Sequence, residues 1–254
     1  KDKLIVAQAP IYNEDGSYAI VEIRSQDNKD RWLVNLNLAA GSFKEIEHQH
    51  DEAWIGGPGI PSYAFSSGTL GFLSDNETIY FQSEATGFSH LYTFNLETKK
   101  KTQLTQGKWE VRDVVLSKLS NSFYITSNET HPGNRSFYKL DISSGKKTPI
   151  LTNDGAYEIE VSPDETKLAV RYSNSNTPWE IFVADNKPNP TLKQITFSTS
   201  DAFKTSGASI NLDYLPNSKV KLRTEARYLD SKEAIFFDNK SNNFFVTTSL
   251  SFEF

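Results

Sequence analysis

Apolar and polar residues alternate along most of this chain, and the 3.6-residue recurrence of an amphipathic helix is almost absent. Alternation of that kind marks strands with one face buried. Residues 91–96 lead through a lysine turn into 103–105, and residues 137–141 lead through Ser143, Ser144 and Gly145 into 150–152. Residues 181–185 lead past Pro188 and Pro190 into 194–196, and residues 32–37 lead past Gly41 into 43–46. Each is an aromatic-aliphatic strand that ends in Asn or Asp, then a polar turn, then a short strand. An Asn or Asp side chain at a strand end can bond the backbone two residues on and start the turn.

The pattern repeats. Its strand-end residues Asn37, Asn95, Asp141 and Asp185 stand 58, 46 and 44 positions apart. A second marker, a strand that stops at a turn before the next strand, recurs as Ile11-Tyr12, Leu73-Ser74, Leu116-Ser117 and Val161-Ser162-Pro163-Asp164, at steps of 62, 43 and 45. Both registers place one insertion between residues 47 and 73. A period of about 40–45 residues with four strands per unit is the signature of a β-propeller. The expectation is an all-β chain in which residues 1–204 form a partial or small β-propeller of four to five four-stranded blades.

The repeat stops after Lys204. Ile210, Leu212 and Tyr214 share one face of an alternating segment, as do Val220, Leu222, Thr224, Ala226 and Tyr228 in the next. Phe244, Val246, Thr248, Leu250, Phe252 and Phe254 alternate with Phe245, Thr247, Ser249, Ser251 and Glu253. Strands of about ten residues with one apolar and one polar side are the pattern of a membrane β-barrel. Residues 205–254 are therefore expected to be antiparallel strands, either barrel-like or closing a last blade. Fifty residues make three or four strands, too few for the smallest barrel of about eight. Three arrangements stay open: two unrelated pieces joined near Lys204–Gly207, a fragment of a larger protein, or a tail that completes a small five-bladed ring.

Composition narrows the function. At 254 residues, 37% hydrophobic and 23% charged, the chain is neither disordered nor a bundle of membrane helices. A net charge of −5 gives no basic footprint, so no nucleic-acid partner is expected. The absence of Cys removes disulfides, thiolate zinc sites and cysteine nucleophiles. The chain begins at Lys1 and has no Met, so it is expected to be processed, trimmed or cut from something longer, with no signal peptide.

Two segments could carry chemistry. Trp54, Gly56, Gly57, Pro58 and Gly59 sit in the insertion, where glycines permit positive φ and proline fixes the flank, so the loop is shaped and could meet a peptide or a partner domain. It is no phosphate loop, because no Lys-Ser/Thr pair follows the glycines. His48 and His50 are two apart on a strand, point the same way and are the candidates for a metal, with no third histidine near. No metal or cofactor is expected. Arg24, Arg31, Arg112, Arg135 and Arg171 are expected in surface or inter-blade pairs, and Trp109 and Trp179 between blades.

Several segments carry a resemblance: Ser162-Pro163-Asp164-Glu165-Thr166-Lys167-Leu168-Ala169, Arg31-Trp32-Leu33, Asp51-Glu52-Ala53-Trp54-Ile55-Gly56-Gly57-Pro58-Gly59, Gln82-Ser83-Glu84-Ala85-Thr86-Gly87-Phe88-Ser89-His90-Leu91-Tyr92 and Leu104-Thr105-Gln106-Gly107-Lys108-Trp109. Residues 1–204 resemble the N-terminal propeller of the prolyl oligopeptidase family of serine peptidases, in its dipeptidyl peptidase IV-like branch. The resemblance implies a propeller that gates peptide access to an α/β-hydrolase domain carrying the catalytic triad. No G-x-S-x-G elbow stands in this sequence. Gly87-Phe88-Ser89-His90-Leu91 and Gly207-Ala208-Ser209-Ile210-Asn211 each lack the second glycine. The branch's adjacent pair of substrate-holding glutamates is also missing, so no catalytic residue is assigned. Residues 208–254 resemble the C-terminal strands of outer-membrane porin-like barrels of Gram-negative bacteria, which implies the periplasm or outer membrane. The expected function is the non-catalytic propeller portion of such a peptidase, with peptide or the missing hydrolase domain as partner. A propeller-type interaction module and an outer-membrane component are the alternatives.

Overall fold

A computed structural model describes residues 3–38, 40–61, 68–195, 205–217, 219–231 and 240–252. The chain divides into two compact units, Lys1–Ile195 and Thr196–Phe254. No helix occurs among the described residues.

The first unit is four antiparallel sheets in chain order, each a blade. Blade one holds β1 (Ile5–Ala7), β2 (Ile11–Tyr12), β3 (Ala19–Ser25), β4 (Asp30–Asn37) and β5 (Ser42–His50). Its inner strand is broken, with β1 and β2 pairing opposite ends of β3. Blade two holds β6 (Leu70–Phe72), β7 (Thr78–Ser83), β8 (His90–Asn95) and β9 (Lys101–Gln103). Blade three holds β10 (Val111–Leu116), β11 (Ser122–Ser127), β12 (Ser136–Asp141) and β13 (Lys147–Leu151). Blade four holds β14 (Ala156–Val161), β15 (Lys167–Asn174), β16 (Thr177–Asp185) and β17 (Lys193–Gln194). Strands run in sequence order across each of these last three sheets. This is the partial propeller that the repeat predicts.

The repeat is literal at the turns between first and second strands. The backbone N–H groups of Asn13, Leu73, Ser117 and Ser162 each donate to the carbonyl five residues on, at Tyr18, Thr78, Ser122 and Lys167. The N–H groups of Gly16, Asn76, Ser120 and Glu165 donate back to the carbonyls of those first four residues. All four of these donors have φ between 54° and 74°. Two of them also tie blades together: Asn76 Oδ1 accepts the N–H of Glu14, and Glu165 Oε1 accepts the N–H of Lys118. Ser120 holds the matching place, and its side chain is too short for the same reach.

Side chains of successive strand residues point to opposite faces, so each inner blade contributes to two cores. Ile20 and Leu33 of blade one pack with Ile79, Phe81 and Tyr92 of blade two. Leu91 of blade two packs with Phe123, Ile125 and Tyr138 of blade three. Tyr124 and Phe137 of blade three pack with Tyr157, Leu168 and Val170 of blade four.

The second unit is a meander of β18 (Thr205–Asn217), β19 (Val220–Ser231) and β20 (Asn242–Phe252), in that order. These strands are 13, 12 and 11 residues long, longer than any strand of the blades.

Candidate functional site

Turns between first and second strands lie at one end of the blades, so blade-to-blade connections and second-to-third-strand loops lie at the other. The insertion after β5 is at that other end, and its described residues are fastened at several points. Asp51 Oδ1 accepts the N–H groups of Ala53 and Trp54 at 2.7 and 3.1 Å. Ile55 donates its N–H to Asn28 O, and its carbonyl accepts from Arg24 Nη2 at 2.5 Å. Pro58 O accepts from Ser89 Oγ at 2.7 Å and Gln82 Nε2 at 3.1 Å. Gly59 has φ +70°, and a Cβ there would stand 1.9 Å from Gln82 Oε1. A Cβ on Gly57 would stand 2.1 Å from Glu84 Oε1. These glycines are where the loop backbone lies on the polar side chains of blade two, and a side chain at either would push Glu84 or Gln82 aside.

Ile55 and Ile60 are buried, while Trp54 is 72% exposed. A cleft of about 380 Å³ is lined by Arg24, Asn28, Trp54, Ile55, Gly57 and Ile60. A second, of about 430 Å³, is lined by His48, Gln49, His50, Asp51, Ile55 and Glu84 among others. Burial pushes the Glu84 carboxyl up from its ordinary range, and neighbouring Glu110 and Asp51 add to the shift. The loop thus carries an exposed indole next to one cleft, and blade two contributes a half-buried carboxylate to the other.

His48 and His50 do point the same way from β5, and both meet one carboxylate oxygen. His48 Nε2 and His50 Nδ1 each lie 2.9 Å from Asp30 Oδ1. Lys3 bonds the other oxygen. His50 Nε2 faces Glu52 Oε1 at 3.3 Å. His48 also stacks on Trp32, with ring centroids 5.0 Å apart. Among the described residues no group of three or more His, Asp or Glu side chains is arranged to hold a metal ion.

The near-miss serine motif has a structural answer. Ser89 is fully buried, and its hydroxyl donates to Pro58 O and accepts from Gln82 Nε2. His90 is buried too, between Thr105 Oγ1 at 3.1 Å and Gly107 O at 3.0 Å, and burial lowers its pKa. His131 Nδ1 accepts the N–H of Gly133. None of these histidine bonds reaches a serine hydroxyl.

Sequence reasoning gives Gln82 no role of its own and expects Arg31 only in a surface or inter-blade pair. Gln82, fully buried on β7, ties the insertion loop to blades two and three, because its amide also meets Val111 O at 2.8 Å. Arg31, also fully buried, binds Glu22 through Nε at 2.6 Å and Nη2 at 3.1 Å and donates through Nη1 to Gln82 O. Glu22 lies opposite Leu33 in the ladder, so its charge on a buried face calls for a cation nearby. Of the other arginines, Arg135 reaches Glu158 across blades at 3.8 Å, and Arg171 pairs with Glu158 within blade four. Trp109 packs at the core between blades two and three, while Trp179 lies under the Arg171 guanidinium.

Blades stacked face to face, each with the same turn at its first corner, make the first unit a β-propeller array. The profile of the dipeptidyl peptidase IV (DPP IV) N-terminal region matches residues 8–179, and the chain belongs to that family. It is 27% identical over 178 residues to dipeptidyl peptidase 4 of Arthroderma otae, covering 68% of this chain and 22% of that protein. It is 25% identical over 179 residues to the Trichophyton equinum enzyme of the same name, with the same coverage. A crystal structure of a Bacteroides ovatus protein assigned as a dipeptidyl aminopeptidase IV matches 87% of this chain and 34% of its own, with a TM-score of 0.63 at 15% identity. The chain therefore spans about a fifth of the length of the curated relatives it matches. The family match lies within the propeller, and none of the comparisons carries the barrel-like reading of residues 208–254.

Proposed function

We propose that residues 1–195 are blades of a dipeptidyl peptidase IV-like serine peptidase and that they gate peptide access to its hydrolase domain. The observation that carries this reading is an apolar face of blade four that is partly exposed among the described residues. Leu33, Leu91 and Phe137 hold one position in the third strands of blades one to three, and each is covered by the next blade. Ile181 holds that position in blade four and is 44% exposed, with Val183 on the same face at 39%. Apolar side chains at a repeated core position are made to be covered, so the face is built to receive a further blade. The shaped loop supports the gating part. Trp54 offers an apolar surface to a proline ring, and Glu84 with Asp51 offers carboxylates to a peptide ammonium group.

The test has two arms. The purified chain is expected to release no p-nitroaniline from Gly-Pro-p-nitroanilide above the uncatalysed rate. It is also expected to bind unlabelled proline dipeptides with a change in fluorescence that Trp54→Phe removes. Turnover that follows the chain through purification, or no binding at millimolar peptide, would overturn the reading.

A further inference from the structure

The second unit presents an apolar face whose chemistry identifies what covers it. The register sets Ile210, Ala226 and Val246 in one row across the three strands, Leu212, Thr224 and Thr248 in the next, and Tyr214, Leu222 and Leu250 in a third. One face is therefore made of the even-numbered residues of all three strands. From Ala208 to Tyr214, Val220 to Tyr228 and Phe244 to Leu250 those even positions hold no charged residue. Ile210 and Leu212 are each 73% exposed. The odd-numbered face holds the charges: Asp213 takes a bidentate contact from Arg223 at 2.7 and 2.8 Å and a bond from Lys221, and Arg227 pairs with Glu225.

Four features fit hydrocarbon. The uncharged face is complementary to a medium that rejects charge, while every charge of the band stands on the side that stays wet. The band from Val220 to Tyr228 is nine residues, within the about 9–11 that a tilted strand needs to cross a bilayer. At about 3.3 Å per residue it is about 26 Å along the strand, or about 20 Å of depth at a tilt of about 40°, against an apolar belt of about 25 Å on membrane barrels. Aromatic side chains mark both ends, Tyr228 opposite Phe244 at one and Tyr214 at the other. The polar row of Ser206, Asp230 and Asn242 follows directly beyond the first. Finally, the hydroxyls of Thr224 and Thr248, the polar pair in the middle of the band, bond each other at 3.3 Å. Hydrocarbon offers no partner to a polar group, so such groups must satisfy one another.

We infer that the even-numbered face of β18, β19 and β20 is a lipid-contacting surface that seats against the acyl chains of a bilayer. The inference stands apart from the reading of residues 1–195. Because hydrocarbon tolerates no open sheet edge, the outer edges of β18 and β20 close on further strands when the sheet is fully inserted.

The chain has no Cys, so each introduced cysteine is a unique label site. Single cysteines at 210, 212, 224, 226 and 246, and at 211, 213, 225 and 247, are to carry a nitroxide. The full chain is then mixed with dilauroylphosphatidylcholine vesicles. The chain is expected to float with the vesicles. Even positions should collide with oxygen and be shielded from a water-soluble nickel chelate, and odd positions should show the reverse. Leu212→Arg and Val246→Arg should cut the floated fraction at least tenfold, while Asn211→Arg and Thr247→Arg leave it within twofold. If the arginine variants lose their β signal in circular dichroism, the label pattern alone decides. Even positions shielded from both reagents, with a dimer present before vesicles are added, would show that a second copy covers the face and would overturn the inference. So would a chain that stays with the aqueous fraction.

Discussion

His50 places Nδ1 at 2.9 Å from one carboxylate and Nε2 at 3.3 Å from another. A neutral imidazole donates through one nitrogen only, so both contacts are satisfied only by the imidazolium. The Asp30 bond, with Glu52 second, accordingly raises the His50 pKa above 6.5. Since the folded value is raised, the stabilisation is complete below the ordinary histidine range and is lost as pH rises through the raised value. An NMR titration of the His50 ring is expected to give a midpoint above 6.5, and Glu52→Gln should lower it; a midpoint at or below 6.5 in the parent chain refutes the arrangement. Lys99 offers a second residue-scale case. The turns after Asn95 and Asp141 are the same: the N–H of Lys99 bonds Asn95 O, as Gly145 bonds Asp141 O. Lys99 has φ 61° and Gly145 66°. A side chain in that region costs about 1–2 kcal/mol, partly offset by the extra freedom glycine has when unfolded. Lys99→Gly is expected to stabilise the chain by about 0.5–1 kcal/mol in urea denaturation. The turns themselves are legible in sequence, because Asn37, Asn95 and Asp141 each accept an N–H three residues on. Asp185 departs from the rule, and its carboxylate pairs with Lys167 and Lys187 instead.

At the scale of the blade, equal positions do unequal work. Leu91 is fully buried against blade three, and Ile181 at the same place in blade four is 44% exposed. Leu91→Ala is expected to cost about 2–5 kcal/mol, the range for a large apolar side chain removed from a packed core. Ile181→Ala should cost under about 1 kcal/mol, because solvent already reaches it and no cavity forms. Comparable losses at both positions would mean that blade four is covered. Alternation tells which residues share a face, and it cannot tell whether a neighbour arrives to cover that face. The same limit hid the Arg31–Glu22 pair. Glu22 follows Val21 and precedes Ile23 in a strand, and its buried partner comes from the next strand over. Arg31→Met would leave Glu22 as an unpaired buried charge, at a cost of about 3–5 kcal/mol by chemical denaturation. Glu22→Leu made together with it should recover most of that loss.

For the whole molecule, the repeat specifies blades, and among the described residues no recorded histidine bond reaches a serine hydroxyl. The histidine bonds recorded among the described residues run to carboxylates, a threonine, a carbonyl and a backbone N–H, and Ser89 is buried beneath Pro58. Incubation with a fluorophosphonate is therefore expected to leave the intact mass of the chain unchanged; a single added phosphonyl group would reveal a nucleophile. The sequence by itself determined the all-β class, the four-fold repeat, the insertion and the polar alternation of the last three strands. Those features follow from contacts within a few residues, strand period and turn bonds, which the order of amino acids encodes directly. Tertiary structure alone decided that Gln82 and Arg24 hold the insertion loop, that Arg31 pairs with Glu22 on a buried face, that two histidines share Asp30, and that Ile181 of blade four is left partly exposed among the described residues. Each of those depends on groups far apart in the chain arriving at one place, and burial, not local pattern, sets their partners.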